Sequence, residues 1–183
     1  MKPENFILYS GGAKGSECEF GKQAEKAGVQ EVNFTFEGHK ISRSRGLRVL
    51  TTDELLKGDV SLAYIAKLLN RSFNTGKLFK KVIQSIWHQI NYAEQVFVVG
   101  KILNDNTVKG GTGWGAEFSK LCNKPLHIFD QDQDSWFKWK GDSWKAEKQP
   151  KIKHKNFAGT GTRFLCANGK KAIHELFENS FKK

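Results

Sequence analysis

Three glycine-rich turns hold the residues of this sequence that are best suited to binding an anion. They are residues 10–17 (SGGAKGSE), 109–117 (KGGTGWGAE) and 158–163 (AGTGTR). Glycine lets backbone N–H groups come close to an anion, and a helix that begins at such a turn adds the positive end of its dipole. One such turn is a weak indication, because tight turns need glycine for steric reasons alone. Three of them, each after an apolar run, predict a site for a phosphate or a nucleotide.

The residues predicted to bind the phosphate come from these turns, together with two arginines that could form forked hydrogen bonds to it. They are Ser10, Gly11, Gly12, Gly15, Gly110, Gly111, Thr112, Gly113, Gly159, Thr160, Arg163 and Arg71. Arg71 has an equally weighted alternative as a surface side chain without a ligand. The sequence contains neither GxxxxGK(S/T) nor GxGxxG with a downstream acid, which argues against ordinary nucleoside triphosphate hydrolysis and NAD chemistry.

Two glutamates at the ends of these turns are the candidate catalytic groups. Glu117 ends the second turn and Glu17 ends the first. A carboxylate can stabilise an oxocarbenium-like sugar or activate water, which is what hydrolysis of an N-glycosidic bond requires. We rank Glu117 first and Glu17 second. The alternative role of Glu117 is to complement the dipole at the start of a helix.

Other chemistry finds little support in the sequence. The five histidines lie far apart, and no serine or cysteine stands in a nucleophile motif. We therefore predict no metal, no cofactor and no covalent nucleophile. Trp114, inside the second turn, is predicted to stack on a base at the mouth of the pocket. The alternative for Trp114 is a ring that closes the core over the loop.

The charge of the chain favours a polyanionic partner. Lysine and arginine number 30 against 19 acidic residues, a formal net charge of +11. One basic cluster lies at 37–48, and another runs through the tryptophan-rich stretch 136–155. Cations interleaved with aromatic rings are typical of nucleic-acid binding, whereas the alternative is a solvated basic surface. The residues predicted to contact nucleic acid are Lys40, Arg43, Arg45, Arg48, Lys138 and Lys140.

Strands and helices alternate along the chain, which predicts an α/β fold with a mostly parallel sheet, helices on both faces and a small appended hairpin. Strands are predicted at 5–9, 31–36, 95–102, 124–130 and within 153–165. Helices are predicted at 16–27, 60–73, 77–90 and 167–181. The stretch 134–148 is predicted to be the hairpin. In such a sheet, ligands bind beyond the carboxyl ends of the strands, where all three turns would lie.

These motifs resemble the SLOG superfamily, Rossmann-like proteins that include DNA-processing protein A and the lonely-guy phosphoribohydrolases. SGGAKGSE is similar to the SGGAxGxD segment of that superfamily, and AGTGTRFLCANGKKAIHEL is similar to the strand-G(S/T)R-helix unit with which DNA-processing proteins begin the fold. KGGTGWGAE is similar to the PGGxGTxxE motif of the lonely-guy enzymes, with matches at Gly110, Gly111, Gly113 and Glu117, and with Lys109 and Trp114 departing from it. The resemblance implies a circular permutation that places the C-terminal strand beside the N-terminal one.

The resemblance to the lonely-guy enzymes implies cleavage of the bond between a base and its sugar, with Glu117 as the catalytic residue. Together with the basic charge, it predicts an N-glycosidase that acts on a nucleotide within nucleic acid, DNA in preference to RNA. The alternatives are a non-catalytic single-stranded DNA-binding protein and a sensor of a nucleotide signal. We expect a single domain over 1–183, no membrane segment, no disulfides and a cytoplasmic location.

Overall fold

The computed structural model describes residues 2–73 and 76–182, which form eight strands and six α-helices. The strands are β1 (Ile7–Ser10), β2 (Gln30–Thr35), β3 (Leu47–Val49), β4 (Gln95–Gly100), β5 (Leu126–Asp130), β6 (Ser135–Trp139), β7 (Trp144–Glu147) and β8 (Asn156–Gly161). The helices are α1 (Ser16–Ala27), α2 (Thr52–Leu56), α3 (Asp59–Leu68), α4 (Lys77–Tyr92), α5 (Thr112–Leu121) and α6 (Ala167–Phe181). Within these described residues, no helix is both long and apolar enough to cross a membrane.

All eight strands belong to one sheet, in the order β3-β2-β1-β8-β4-β5-β6-β7. Neighbouring strands from β3 to β5 run parallel, and β6 and β7 continue the sheet antiparallel. The predicted fold class, an α/β protein with a mostly parallel sheet, is therefore confirmed. The predicted hairpin is also confirmed, as the pair β6 and β7.

The C-terminal strand β8 lies inside the sheet between β1 and β4. Leu8 of β1 is opposite Phe157, and Val96 of β4 is opposite Ala158. The prediction that the C-terminal strand lies beside the N-terminal one is therefore confirmed. This insertion brings the first and third glycine turns to neighbouring positions at one edge of the sheet.

Helices cover both faces of the sheet, and each face has its own hydrophobic core. One core joins α1 and α6 to strand residues such as Phe97 and Val99 of β4. The other core joins α3, α4 and α5 to the alternate residues Val96 and Val98. Because successive side chains of a strand point to opposite faces, β4 is apolar throughout, as expected for a strand that is buried on both sides. This two-layered covering is consistent with a Rossmann-like fold.

Two short elements, β3 and α2, were not predicted from the sequence, and α5 begins at Thr112, before Glu117, where a helix start was expected. All three residues of β3 are exposed, and the strand lies at the edge of the sheet, so it carries no alternating apolar pattern. The five-residue helix α2 is instead fixed at its start by a capping box between Thr51 and Glu54. Strand β3 is held by its pairing with β2, and α2 is fixed by its cap, so hydrophobic periodicity detects neither element.

Candidate functional site

The candidate site lies at the carboxyl edge of the sheet, where β1, β8 and β4 end. Strands β1 and β8 lead to helices on one face, whereas the chain leaving β4 leads to α5 on the other face. The connections therefore diverge between β8 and β4. In an open α/β sheet, this divergence opens the crevice in which ligands bind.

The first and third glycine turns are in direct contact at this edge. The Ser16 backbone N–H donates to the Thr162 carbonyl oxygen at 3.0 Å, and the Ser10 hydroxyl donates to the Gly159 carbonyl oxygen at 2.7 Å. Gly15 has a φ of 96°, and a β-carbon there would lie 2.5 Å from the Thr162 oxygen. Only glycine permits this approach, so part of the glycine pattern serves the packing of one turn on the other.

Glu17 is the carboxyl group that this contact encloses. The side chain extends from the first turn of α1, and the residue is 7% exposed. Its Oε1 accepts a hydrogen bond from the Thr160 hydroxyl at 3.0 Å, and its Oε2 accepts one from the Ala13 backbone N–H at 3.1 Å. Burial raises the pKa of this carboxyl above its ordinary value, although hydrogen bonds from Ala13, Thr160, Gln89 and Gly11 act in the opposite direction. The edge thus holds a buried carboxyl group with an increased tendency to keep its proton.

Gly11 lies between Glu17 and Gln89, a side chain that reaches the edge from α4. A β-carbon at Gly11 would be 2.6 Å from Gln89 Nε2 and 2.7 Å from Glu17 Oε2. Gln89 is 1% exposed and was missed in the sequence. One signal in the sequence could have indicated Gln89: it is a polar residue, one position before Ile90, within the apolar stripe of α4.

Two buried carbonyl oxygens near the first turn lack a hydrogen-bond donor among the described residues: Asn33 Oδ1 and Gln89 Oε1. The Asn33 oxygen would be 3.4 Å from a β-carbon at Gly12, so Asn33 lies against the first turn. An unsatisfied buried acceptor costs about 1–3 kcal/mol, which a ligand hydroxyl or amino group would recover. Asn33 was also missed in the sequence, because it is one of several polar residues of β2 and no pattern singles it out.

The second glycine turn is held by other contacts. Arg71 donates to the carbonyl oxygens of Gly110 and Val108, at 3.0 and 3.1 Å. Its guanidinium therefore fixes the loop before α5 and is only partly available to a phosphate. Thr112 and Gly113 are buried in the first turn of α5. Within residues 2–73 and 76–182, no hydrogen bond joins this turn to the first or third one, so direct hydrogen bonding between turns is seen only for the first and third.

Glu117, ranked first in the sequence, lies in the middle of α5. Its carboxylate pairs with Lys120 Nζ at 3.2 Å, and the same ammonium group lies 3.9 Å from the centre of the Trp139 ring. The partners of Glu117 thus belong to its own helix and, through Lys120, to the hairpin. The partners of Glu17 belong to the turns themselves. Glu17, and not Glu117, is therefore the carboxyl group that the two packed turns enclose.

Trp114 supports the alternative role that we gave it. The residue is 2% exposed, and its ring packs in the core beside Phe73, at 5.9 Å between ring centroids. The prediction that Trp114 stacks on a base at the pocket mouth is wrong, because this ring has no face open to a ligand.

The arginines of the basic segment 37–48 are largely neutralised by neighbouring acids. Arg43 forms ion pairs with Glu31 and Glu25, Arg45 pairs with Glu31, and Arg48 pairs with Glu54. These pairs fasten the segment to β2, α1 and α2. Of the predicted contacts, Lys40, Lys138 and Lys140 form no ion pair within the described part of the chain.

The tryptophans of the hairpin are also engaged inside the protein. Trp136 is 7% exposed, and Trp139 and Trp144 pack edge to face at 5.1 Å. The Trp144 indole N–H donates to the Asn106 carbonyl oxygen at 2.9 Å. Their rings are therefore poorly placed to stack on bases, and the hairpin offers cations more than aromatic platforms.

The fold and the edge site together define a Rossmann-like α/β protein with a buried carboxyl group beside two packed glycine turns. No protein-family model, no curated protein and no solved structure matches the chain. Among the residues that the structure describes, no group of three or more His, Cys, Asp or Glu side chains is arranged to hold a metal ion.

Proposed function

We propose that this protein hydrolyses the N-glycosidic bond of a nucleotide within a nucleic acid strand, with Glu17 as the catalytic carboxyl group. The observation that carries the proposal is the position of Glu17. It is a buried carboxyl group at the carboxyl edge of β1 and β8, bounded by two glycine turns. Membership of the SLOG superfamily is part of the same proposal and rests on the glycine motifs.

The raised pKa of Glu17 suits it to act as a general acid. The bond that breaks joins C1′ of the sugar to a nitrogen of the base, and the bond that forms joins C1′ to the oxygen of water. Glu17 gives its proton to the departing base nitrogen, and the attacking water returns a proton to the carboxylate. Between these steps the carboxylate stabilises the positive charge that develops on the sugar.

The surrounding groups suit the rest of a nucleotide. A phosphate would be bound by backbone N–H groups of the first turn and by Arg163, which is exposed. The free oxygens of Asn33 and Gln89 suit the hydroxyl donors of a sugar. Since Glu17 itself is almost sealed from solvent, the substrate reaches it only after a local opening of the edge.

The test is a search for released base by mass spectrometry. The purified protein is incubated with modified and unmodified DNA and with free nucleotides, beside the variants Glu17→Gln and Glu117→Gln. We expect base release by the wild type, its loss in Glu17→Gln and its retention in Glu117→Gln, with DNA binding kept in all three. Release that persists in Glu17→Gln and disappears in Glu117→Gln would return the catalytic role to Glu117.

A second candidate function is nucleic-acid binding without cleavage. It is favoured by the fact that both oxygens of Glu17 already accept hydrogen bonds from protein groups, as in a structural clamp. If no substrate yields free base while DNA is retained in a salt-sensitive manner, this second function replaces the first. A small-molecule sensor would instead bind a mononucleotide with a shallow salt dependence.

A further inference from the structure

A pocket of about 220 Å³ is lined by the start of α1 and the start of α6. The α1 side contributes Lys14, Gly15 and Lys22, and the segment from β8 into α6 contributes Arg163 and Lys170. A β-carbon at Gly15 would lie 2.6 Å from the Arg163 Cα, so the pocket adjoins the contact between the first and third glycine turns.

Four cationic side chains and one acidic side chain line this pocket, so its net charge is positive. Its four cationic side chains are exposed, and none of them forms an ion pair within residues 2–73 and 76–182. The one acidic residue that lines it, Glu19, accepts a hydrogen bond from Gln23 at 2.7 Å. Neither α1 nor α6 has a side-chain cap at its N-terminus, so the helix dipoles add to the positive potential.

The other basic surfaces of the chain differ from this pocket in a way that matters for binding. Three arginines of the segment 37–48 are held in ion pairs. The exposed lysines of the hairpin, Lys140, Lys145 and Lys148, form no ion pair within the described residues, but they do not line this pocket. A concave site that gathers free cations focuses positive potential more than a convex surface with the same charge.

We propose that this pocket binds backbone phosphates of a nucleic acid strand. These phosphates belong to the nucleotides next to the one that occupies the candidate site. This inference rests on the proposed function and adds Lys14, Lys22 and Lys170 as the contacts. The strand would pass from the two glycine turns over the starts of α1 and α6, and away from the hairpin.

The number and position of the lysines argue for a strand instead of a single phosphate. The phosphate of the reacting nucleotide is already served by the N–H groups of the first turn and by Arg163. Three more cations next to it suit phosphates that continue from the first one, as along a polynucleotide. Each phosphate that a lysine neutralises releases counterions, so the lysines should be visible in the salt dependence of binding.

The experiment compares two triple variants with equal changes of charge. The test variant is Lys14→Gln, Lys22→Gln and Lys170→Gln, and the control variant is Lys140→Gln, Lys145→Gln and Lys148→Gln. The binding of a fluorescent single-stranded DNA of about 20 nucleotides is measured over a range of salt concentrations. For single strands, the slope of log K against log salt changes by roughly 0.7 per phosphate contact, so three lost contacts should reduce it by about 2.

We expect that reduction in the test variant and a clearly smaller one in the control. An equal reduction in both variants would overturn the inference, because the binding would then follow net charge alone. No reduction in the test variant, or no binding by the wild type, would also overturn it. Binding of a mononucleotide should be alike in all proteins, and a selective loss in the test variant would assign the pocket to the reacting nucleotide itself.

The failure of this inference and that of the proposed function are separable. If the wild type releases no base but its DNA binding depends on the three lysines, the proposed role of the pocket is supported and the proposed glycosidase function is wrong. If base is released and the replacement of the three lysines leaves DNA binding unchanged, the proposed glycosidase function is supported and the proposed role of the pocket is wrong.

Discussion

Replacing Glu17 with glutamine should remove a pH dependence from the stability of this protein. Burial raises the pKa of the Glu17 carboxyl above its reference value of 4.5, so the folded protein keeps this proton to a higher pH than the unfolded chain does. The stability that the neutral carboxyl contributes is therefore fully present below pH 4.5 and is lost as the pH rises through the folded-state pKa.

The size of the effect follows from one proton. A proton held only by the folded state changes the free energy of unfolding by at most about 1.4 kcal/mol per pH unit. Glutamine has no such proton, and its amide can accept from the Ala13 N–H and donate to the Thr160 hydroxyl, two of the partners of the carboxyl. The variant should therefore gain stability relative to the wild type as the pH rises, and the gain should level off above the folded-state pKa.

The assay is unfolding by urea between about pH 4.5 and pH 8, a range that begins near the reference pKa of a carboxyl. Wild type and Glu17→Gln are compared, because groups common to both cancel in the difference. Glu117→Gln serves as the matched control, since it removes one carboxylate from the half-buried pair with Lys120. The assignment of a raised pKa to Glu17 would be refuted by parallel stability curves for wild type and Glu17→Gln. It would also be refuted if the variant lost stability relative to the wild type as the pH rises.

Three further predictions test how the structure supports the site. Trp114→Ala should lower the free energy of unfolding by about 3–5 kcal/mol, as for a large aromatic ring removed from a core, and a loss below about 1 kcal/mol by urea unfolding would contradict the buried position. Lys124→Met should cost about 2–3 kcal/mol in the same assay, because Lys124 Nζ donates to the carbonyl oxygens of Ile90, Asn91 and Ala93 at the end of α4; an unchanged stability would contradict those contacts. Arg71→Ala should speed amide hydrogen exchange selectively in 108–111, and equal exchange in both proteins would show that Arg71 does not fix that loop.

The parts of the fold that the sequence predicts are those in which burial is periodic or continuous. Strand β4 is apolar at nearly every position, and the helix predicted at 77–90 is observed as Lys77–Tyr92, because apolar residues recur along one face. The contact between the first and third turns follows from topology, since parallel strands end at the same edge. The position of β8 beside β1 was anticipated from the resemblance, whereas its pairing with β4 on the other side was not, and no periodicity in the sequence would have given either.

The ranking of the two glutamates could not be obtained from the sequence. Glu17 and Glu117 each end a glycine turn, but their environments depend on which strand lies alongside. Because β8 brings the Thr160 hydroxyl to the first turn, Glu17 is enclosed. Because Lys120 lies one turn along α5, Glu117 is paired with it. In the same way, a count of basic residues does not show that Arg43 and Arg45 are bound to Glu31.

The protonation of Glu17 and the binding of an anion should be coupled through this geometry. An anion held by the N–H groups of the first turn would place a negative charge near the carboxyl, and a like charge raises its pKa further. By thermodynamic reciprocity, the protonated carboxyl then favours binding of the anion by the same factor. The donors around Glu17 come from the first turn, from β8 and from α4. The coupling therefore requires that this edge of the sheet is folded. Phosphate binding would thus favour the protonated form of Glu17, the form that the proposed mechanism requires.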